Sequence, residues 1–143
     1  MATRKANARA GCIRRTLCGV IVAASTAAYG AEAPPLALAK ARIAFASALA
    51  AKDLSAAAAA TIFPLKVAAM GLPPTVSRSA FPKFMQRNGY EENAGCIKSE
   101  PLERADSHEH GANVWLVNCN GNIFYFALAT GAWRHSGYEN INE

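Results

Sequence analysis

The chain has few of the features that mark membrane, metal or nucleic-acid proteins. No uncharged apolar run reaches the ~20 residues that a membrane-spanning helix needs. There is no CxxC pair, and only two cysteines, Cys96 and Cys119, lie beyond residue 30. Acidic residues are missing from the first 30 positions altogether, whereas Arg4, Lys5, Arg9, Arg14 and Arg15 all fall there. That one-sided start is followed by an apolar run from about Thr16 to Ala28 and by small residues at Ala28 and Gly30, the three parts of a cleavable secretory signal. The expectation is a signal peptide over 1–30, a single domain over 31–143, and a periplasmic or secreted protein. Cys12 precedes the apolar run and Cys18 lies inside it, so neither is placed to be a lipid-bearing first residue. The Arg14-Arg15 pair leaves both the general and the twin-arginine export routes open.

Losing this segment changes the charge argument. The whole chain is +5, but five of its fifteen Lys and Arg and none of its ten Asp and Glu precede residue 31. The remainder therefore carries ten of each and is neutral. A nucleic-acid partner is excluded on that ground, because such binding needs a basic stripe to displace counterions from phosphates. Cys96 and Cys119, alone in an oxidising compartment, point to one disulfide. Closing a loop of roughly 24 residues, it is worth about 3 kcal/mol in the chain-entropy model.

The mature part divides into a helical half and a strand half. Alanine-rich composition predicts a helix over 36–52 with Leu38, Phe45 and Leu49 on one face. A second helix, capped by Asp53 or Ser55, must stop before Pro64. After a short extended piece, Ser77 or Ser79 caps a third helix that runs to about Arg87. Cys96 is expected on a strand ending near Pro101, joined by a polar loop, "LERADSHEHGA", to the next strand.

Asn120-Gly121 and Thr130-Gly131 then predict two tight hairpins, hence an antiparallel meander. Two-residue turns at both set Val117 against Phe124, Trp115 against Phe126, Phe126 against His135 and Leu128 against Trp133. Counting by twos places Trp115, Val117, Cys119, Phe124, Phe126, Leu128, Trp133 and His135 on the face covered by helices. Val114, Leu116, Ile123, Tyr125, Arg134, Ser136 and Tyr138 fall on the other face, which is mixed in character and open to a second subunit.

This order of elements, with "FPLKV", "SAFPKFM" and the closing "GAWRHSGYENI", resembles the NTF2-like superfamily and its cystatin-like α+β cone. The resemblance implies a pocket between sheet and helices, with Trp115, Phe124, Phe126, Trp133 and His135 as its candidate wall. It brings no catalytic residue, because the acid and base pairs of the family's enzymes have no residue-by-residue counterpart here. His108 and His110, two apart in "DSHEHG", would be weak metal candidates, but no third ligand at diagnostic spacing accompanies them. No cofactor is implied. Two functions stand on these readings. One is an exported binding or accessory module for a small apolar ligand or a protein partner. The other is an enzyme of proton-transfer or hydration chemistry with His135 as base. A second ionisable group beside the His135 ring separates the two.

Overall fold

The computed structural model describes residues 32–142, so the expected signal segment lies outside the described residues. The protein is α+β, with helices packed against a six-stranded mixed sheet. The helix α1 spans Leu36–Ala50 and buries Leu38, Phe45, Ala46 and Leu49. Asp53 starts α2, Leu54–Ala59, where its Oδ1 accepts the Ala56 N–H at 2.9 Å and satisfies one of the first-turn donors.

Here the first departure from the sequence reading appears. The helix ends at Ala59, and Thr61–Ala68 is a strand, β1, whose residues Leu65 and Val67 point into the core while Pro64, Lys66 and Ala68 point outward. Its β-branched and alternating residues outweigh the alanine run that precedes it. A two-residue strand, β2 (Thr75–Val76), pairs with its outer side. The third helix, α3 (Phe81–Arg87), begins later than its serines suggest: Ser77 Oγ accepts the Ala80 N–H at 3.3 Å and fixes the turn before it. Cys96 lies not on a strand but on a further helix, α4 (Ala94–Ser99).

The rest is β3 (Glu103–Arg104), a single helical turn α5 (Ser107–His110), β4 (Val114–Cys119), β5 (Asn122–Ala129) and β6 (Ala132–Asn140). Strand order is β2-β1-β6-β5-β4-β3. The meander β4-β5-β6 is antiparallel as expected, but β1 adds to it in parallel with β6, so the first half of the chain supplies two of the sheet's strands. Both hairpins have the two-residue turns predicted. Asn120 and Gly121 have φ of 55° and 85°, and Thr130 and Gly131 have 48° and 77°, the paired positive values that match the twist of the flanking strands.

Registers follow the prediction from the second turn to His135: Leu128 opposes Trp133 and Phe126 opposes His135. Beyond that point the strands slip by one. Tyr125 opposes Gly137, leaving Ser136 as an extra residue in β6. This bulge turns the end of β6 over. Tyr138, expected on the outer face, is 3 % exposed in the core opposite Phe124, and Gly137 and Glu139 take the outer face instead. A larger irregularity in β1 lies between Thr61, opposite His135, and Lys66, opposite Gly137.

The core is aromatic. Trp115, Val117, Cys119, Phe124, Phe126 and His135 are buried as expected, with Phe45 of α1 edge-on to Phe126 at 5.9 Å. Leu128 is the exception, 45 % exposed beside the Thr130-Gly131 turn. Cys96 and Cys119 form a disulfide with Cα atoms 5.9 Å apart, tying α4 to the end of β4. The polar segment before β4 is not a free loop. It folds over the outer face, where Ala105 packs with Ile123 and Tyr125 in a small second cluster.

Candidate functional site

Two regions hold ionisable side chains in constrained positions, one on each face of the sheet. On the inner face, the His135 ring is fully buried. It lies 4.6 Å from the Phe45 ring, with Phe126, Tyr90 and Phe124 at 5.8, 5.6 and 6.2 Å. Its Nδ1 is 3.0 Å from the Tyr125 carbonyl, which can only accept, so Nδ1 carries the proton and donates. Nε2 is then an acceptor, and the Tyr90 hydroxyl, 3.1 Å away, donates to it. Burial lowers the ring's pKa to about 3, against a smaller opposing effect of the Tyr125 carbonyl. Burial likewise pushes the Tyr90 hydroxyl well above its ordinary value.

A neutral base with an ionisable partner is what proton-transfer chemistry asks for, and Tyr90 is that partner. Its position in the turn between α3 and α4 made it invisible to strand counting. Yet both ring nitrogens are already engaged, and neither residue reaches solvent. The other expected wall residues follow the same pattern. Trp115, Phe124 and Phe126 are packed core, and Trp133 packs against it while only partly buried. Phe45, Phe81 and Tyr90 fill the space between them and the helices. The two hollows described below are lined by none of the five.

The larger hollow, about 360 Å³, is on the outer face, over β1, β6 and β5 with α5 at one side. That volume is at the lower end for small-molecule sites. Its floor is apolar: Ile62, Pro64, Val114 and Ala127. Gly137 is part of its wall, between Tyr125 on one neighbouring strand and Lys66 on the other. Tyr125 donates its hydroxyl proton to Glu139 Oε2 at 2.5 Å. Burial first, and the Glu139 carboxylate second, raise the Tyr125 hydroxyl pKa, so it remains a donor at any ordinary pH. The His110 ring stacks on Tyr125 at 4.5 Å and 26°, which closes one face of the phenol.

The bulge at Ser136 builds this arrangement. Without the extra residue, Tyr138 would occupy the outer face and Glu139 would point into the core. The sequence reading placed Tyr125 and Ser136 on this face. Lys66 was missed because β1 was not recognised as a strand beside β6, and Gly137 because the bulge that turns it outward was not foreseen.

His108 and His110 are separated by this geometry. Two positions apart on a helical turn, side chains diverge by about 200°, and only His110 reaches the sheet, on the face opposite His135. Among the described residues, no group of three His, Cys, Asp or Glu side chains is arranged to hold a metal ion. No helix among them is long and apolar enough to cross a membrane. A smaller hollow of about 220 Å³ lies among Leu49, Leu54, Met85 and Tyr90, with the Lys52–Glu91 ion pair, 2.7 Å, at its edge.

No family model matches the chain, and no curated protein is significantly similar to it. Among solved structures it is similar to an NTF2-like protein with a cystatin-like fold from Novosphingobium aromaticivorans. The TM-score is 0.42 at 10% identity, over 71% of this chain and 76% of the other. The likeness is one of element arrangement, and no residue's role is transferred from it.

Proposed function

We propose that the protein is a small exported binding module, folded over residues 31–143 once 1–30 are removed, that takes a small and mainly apolar ligand in the outer-face groove. One observation carries the reading. The groove combines an apolar floor with an oriented hydroxyl–carboxylate pair, while the inner face, where a pocket was expected, is occupied by core side chains. Pockets that bind small ligands have this make-up: mostly apolar lining and few, well-placed polar groups. The enzyme alternative has Tyr90 in its favour, but a base without solvent contact cannot meet a substrate.

Fragment screening by NMR tests the site. Hits should shift the amide signals of Tyr125, Ala127, Ser136 and Gly137 together. Hits confined to the Leu49–Met85 hollow, or dimerisation that covers the outer face at micromolar concentration, would remove the proposal. Export is tested separately by N-terminal sequencing of protein from the periplasm or medium, which should start near Ala31; an intact Met1 end in that fraction would contradict it.

A further inference from the structure

The groove's polar groups narrow its ligand further, a step that rests on the binding proposal above. Lys66 and Glu139 both project from the outer face, Lys66 level with Gly137 and Glu139 two residues further along β6. The Tyr125 hydroxyl holds Glu139 through Oε2. Among the described residues, the ion pairs formed are Lys52–Glu91, Arg104–Glu32 and His110–Glu109, and none engages Lys66 or Glu139. One cation and one anion, both without an ionic partner, therefore flank the same apolar hollow.

We infer that the groove binds a small zwitterion with an apolar substituent, an α-amino acid of the leucine or phenylalanine type: its carboxylate to Lys66, its ammonium to Glu139, its side chain on Pro64 and Ala127.

Dimensions support that class. One strand across and two residues along, the Cα atoms of Lys66 and Glu139 are about 8 Å apart. The ammonium nitrogen and carboxylate oxygens of an α-amino acid are about 3 Å apart, and a charge-assisted hydrogen bond at each end adds about 2.8 Å. Lys66 and Glu139 thus rise from backbone positions near enough for their flexible side chains to hold the two ends of one such molecule. Gly137, level with Lys66 and two residues before Glu139 on the same strand, lines the hollow beside both and adds no side chain to it. A Cβ there would meet the Lys66 carbonyl and the Tyr125 ring at 3.5 Å, an ordinary contact, so a side chain at 137 would take up part of the hollow. Charge balance among the lining residues agrees: Lys66 and Glu139, one charge of each sign, favour a ligand that is itself neutral overall.

Three probes of one shape separate the contributions: phenylalanine, phenethylamine (ammonium only) and 3-phenylpropionate (carboxylate only), titrated calorimetrically into the purified protein. Phenylalanine is expected to bind at least tenfold more tightly than either analogue. Glu139→Gln should weaken phenylalanine and phenethylamine about tenfold and leave 3-phenylpropionate unchanged, and Lys66→Met should do the converse. Gly137→Val should abolish binding of all three with the far-ultraviolet circular dichroism retained. Equal affinity for the three probes, or binding indifferent to both charge variants, overturns the zwitterion while leaving an apolar groove. Failure of all three where uncharged fragments bind there does the same, whereas fragments that avoid the groove as well remove the binding proposal itself.

Discussion

Lowering the pH from 7.5 to 4.5 probes the protein's interior through a single ring. Burial holds the His135 imidazole at a pKa of about 3, whereas an unfolded chain gives histidine about 6.5. Below pH 6.5 the unfolded state takes up a proton at this position and the native state does not. Stability therefore falls as the pH falls, beginning near the unfolded value and ceasing near the folded one. One full proton of difference is worth about 1.4 kcal/mol per pH unit, so the interval from 6.5 to 4.5 costs about 2–3 kcal/mol from this ring. That is a substantial part of the ~5–15 kcal/mol that holds a domain folded. The assay is urea unfolding at half-unit pH steps for the parent and for His135→Leu. The variant loses stability at every pH, since the Tyr90 hydroxyl is left without its acceptor, but its pH slope should be flatter by nearly one proton. Other titrating groups contribute equally to both proteins and cancel in the difference. Equal slopes would refute the reasoning, as would ring proton signals of His135 that titrate near pH 6.5 in the folded protein.

Phe126→Ala should cost about 3–5 kcal/mol, because it empties a fully buried position against Phe45 and His135, whereas Ser136→Ala should fall within about 0.5 kcal/mol. Urea midpoints of the two, measured together, check the contrast. The Cys96–Cys119 bridge should appear as a linked peptide pair in non-reducing peptide maps, and its reduction should lower stability by about 3 kcal/mol. Two free thiols in the purified, unreduced protein would contradict it.

What the sequence disclosed depended on how local the signal was. Asn120-Gly121 and Thr130-Gly131 force positive φ within two residues, so the turns, and every pairing between them and His135, followed from position alone. The disulfide followed from compartment and count rather than from structure, which is why it held although Cys96 is on a helix and not a strand. β1 was hidden because its partner, β6, is some 70 residues away and parallel, a pairing without a local turn to announce it. The proline inside "FPLKV" added to the concealment, since it argues against a strand with neighbours on both sides. The groove depends on both hidden features. Lys66 comes from β1, and Glu139 reaches the outer face only because β6 carries one residue more than its partner. The bulge coincides with the carbonyl that receives the His135 ring, so a tertiary contact, not a local preference, occupies the place where the ladder slips.

Two substitutions on adjacent residues distinguish the bulged strand from the regular one that the sequence suggested. With the bulge, Tyr138 is core. Its ring lies 5.7, 5.4 and 5.6 Å from those of Phe84, Tyr90 and Phe124, and its hydroxyl donates to Asn122 Oδ1 at 2.7 Å. Tyr138→Ala should then cost about 3–5 kcal/mol, as deleting a buried aromatic ring does, and Tyr138→Phe about 1 kcal/mol for the hydrogen bond. Gly137, facing outward, should accept alanine within about 0.5 kcal/mol, because the added methyl meets its neighbours at 3.5 Å or beyond. A regular strand reverses both results. Tyr138 would be a surface ring worth little, and Gly137 would point into a filled core, where a methyl overpacks and costs about 1–3 kcal/mol. Denaturant unfolding of Tyr138→Ala and Gly137→Ala side by side, with unchanged m-values, decides between the two registers. A cheap Tyr138→Ala beside a costly Gly137→Ala would return Glu139 to the interior and dissolve the groove with it.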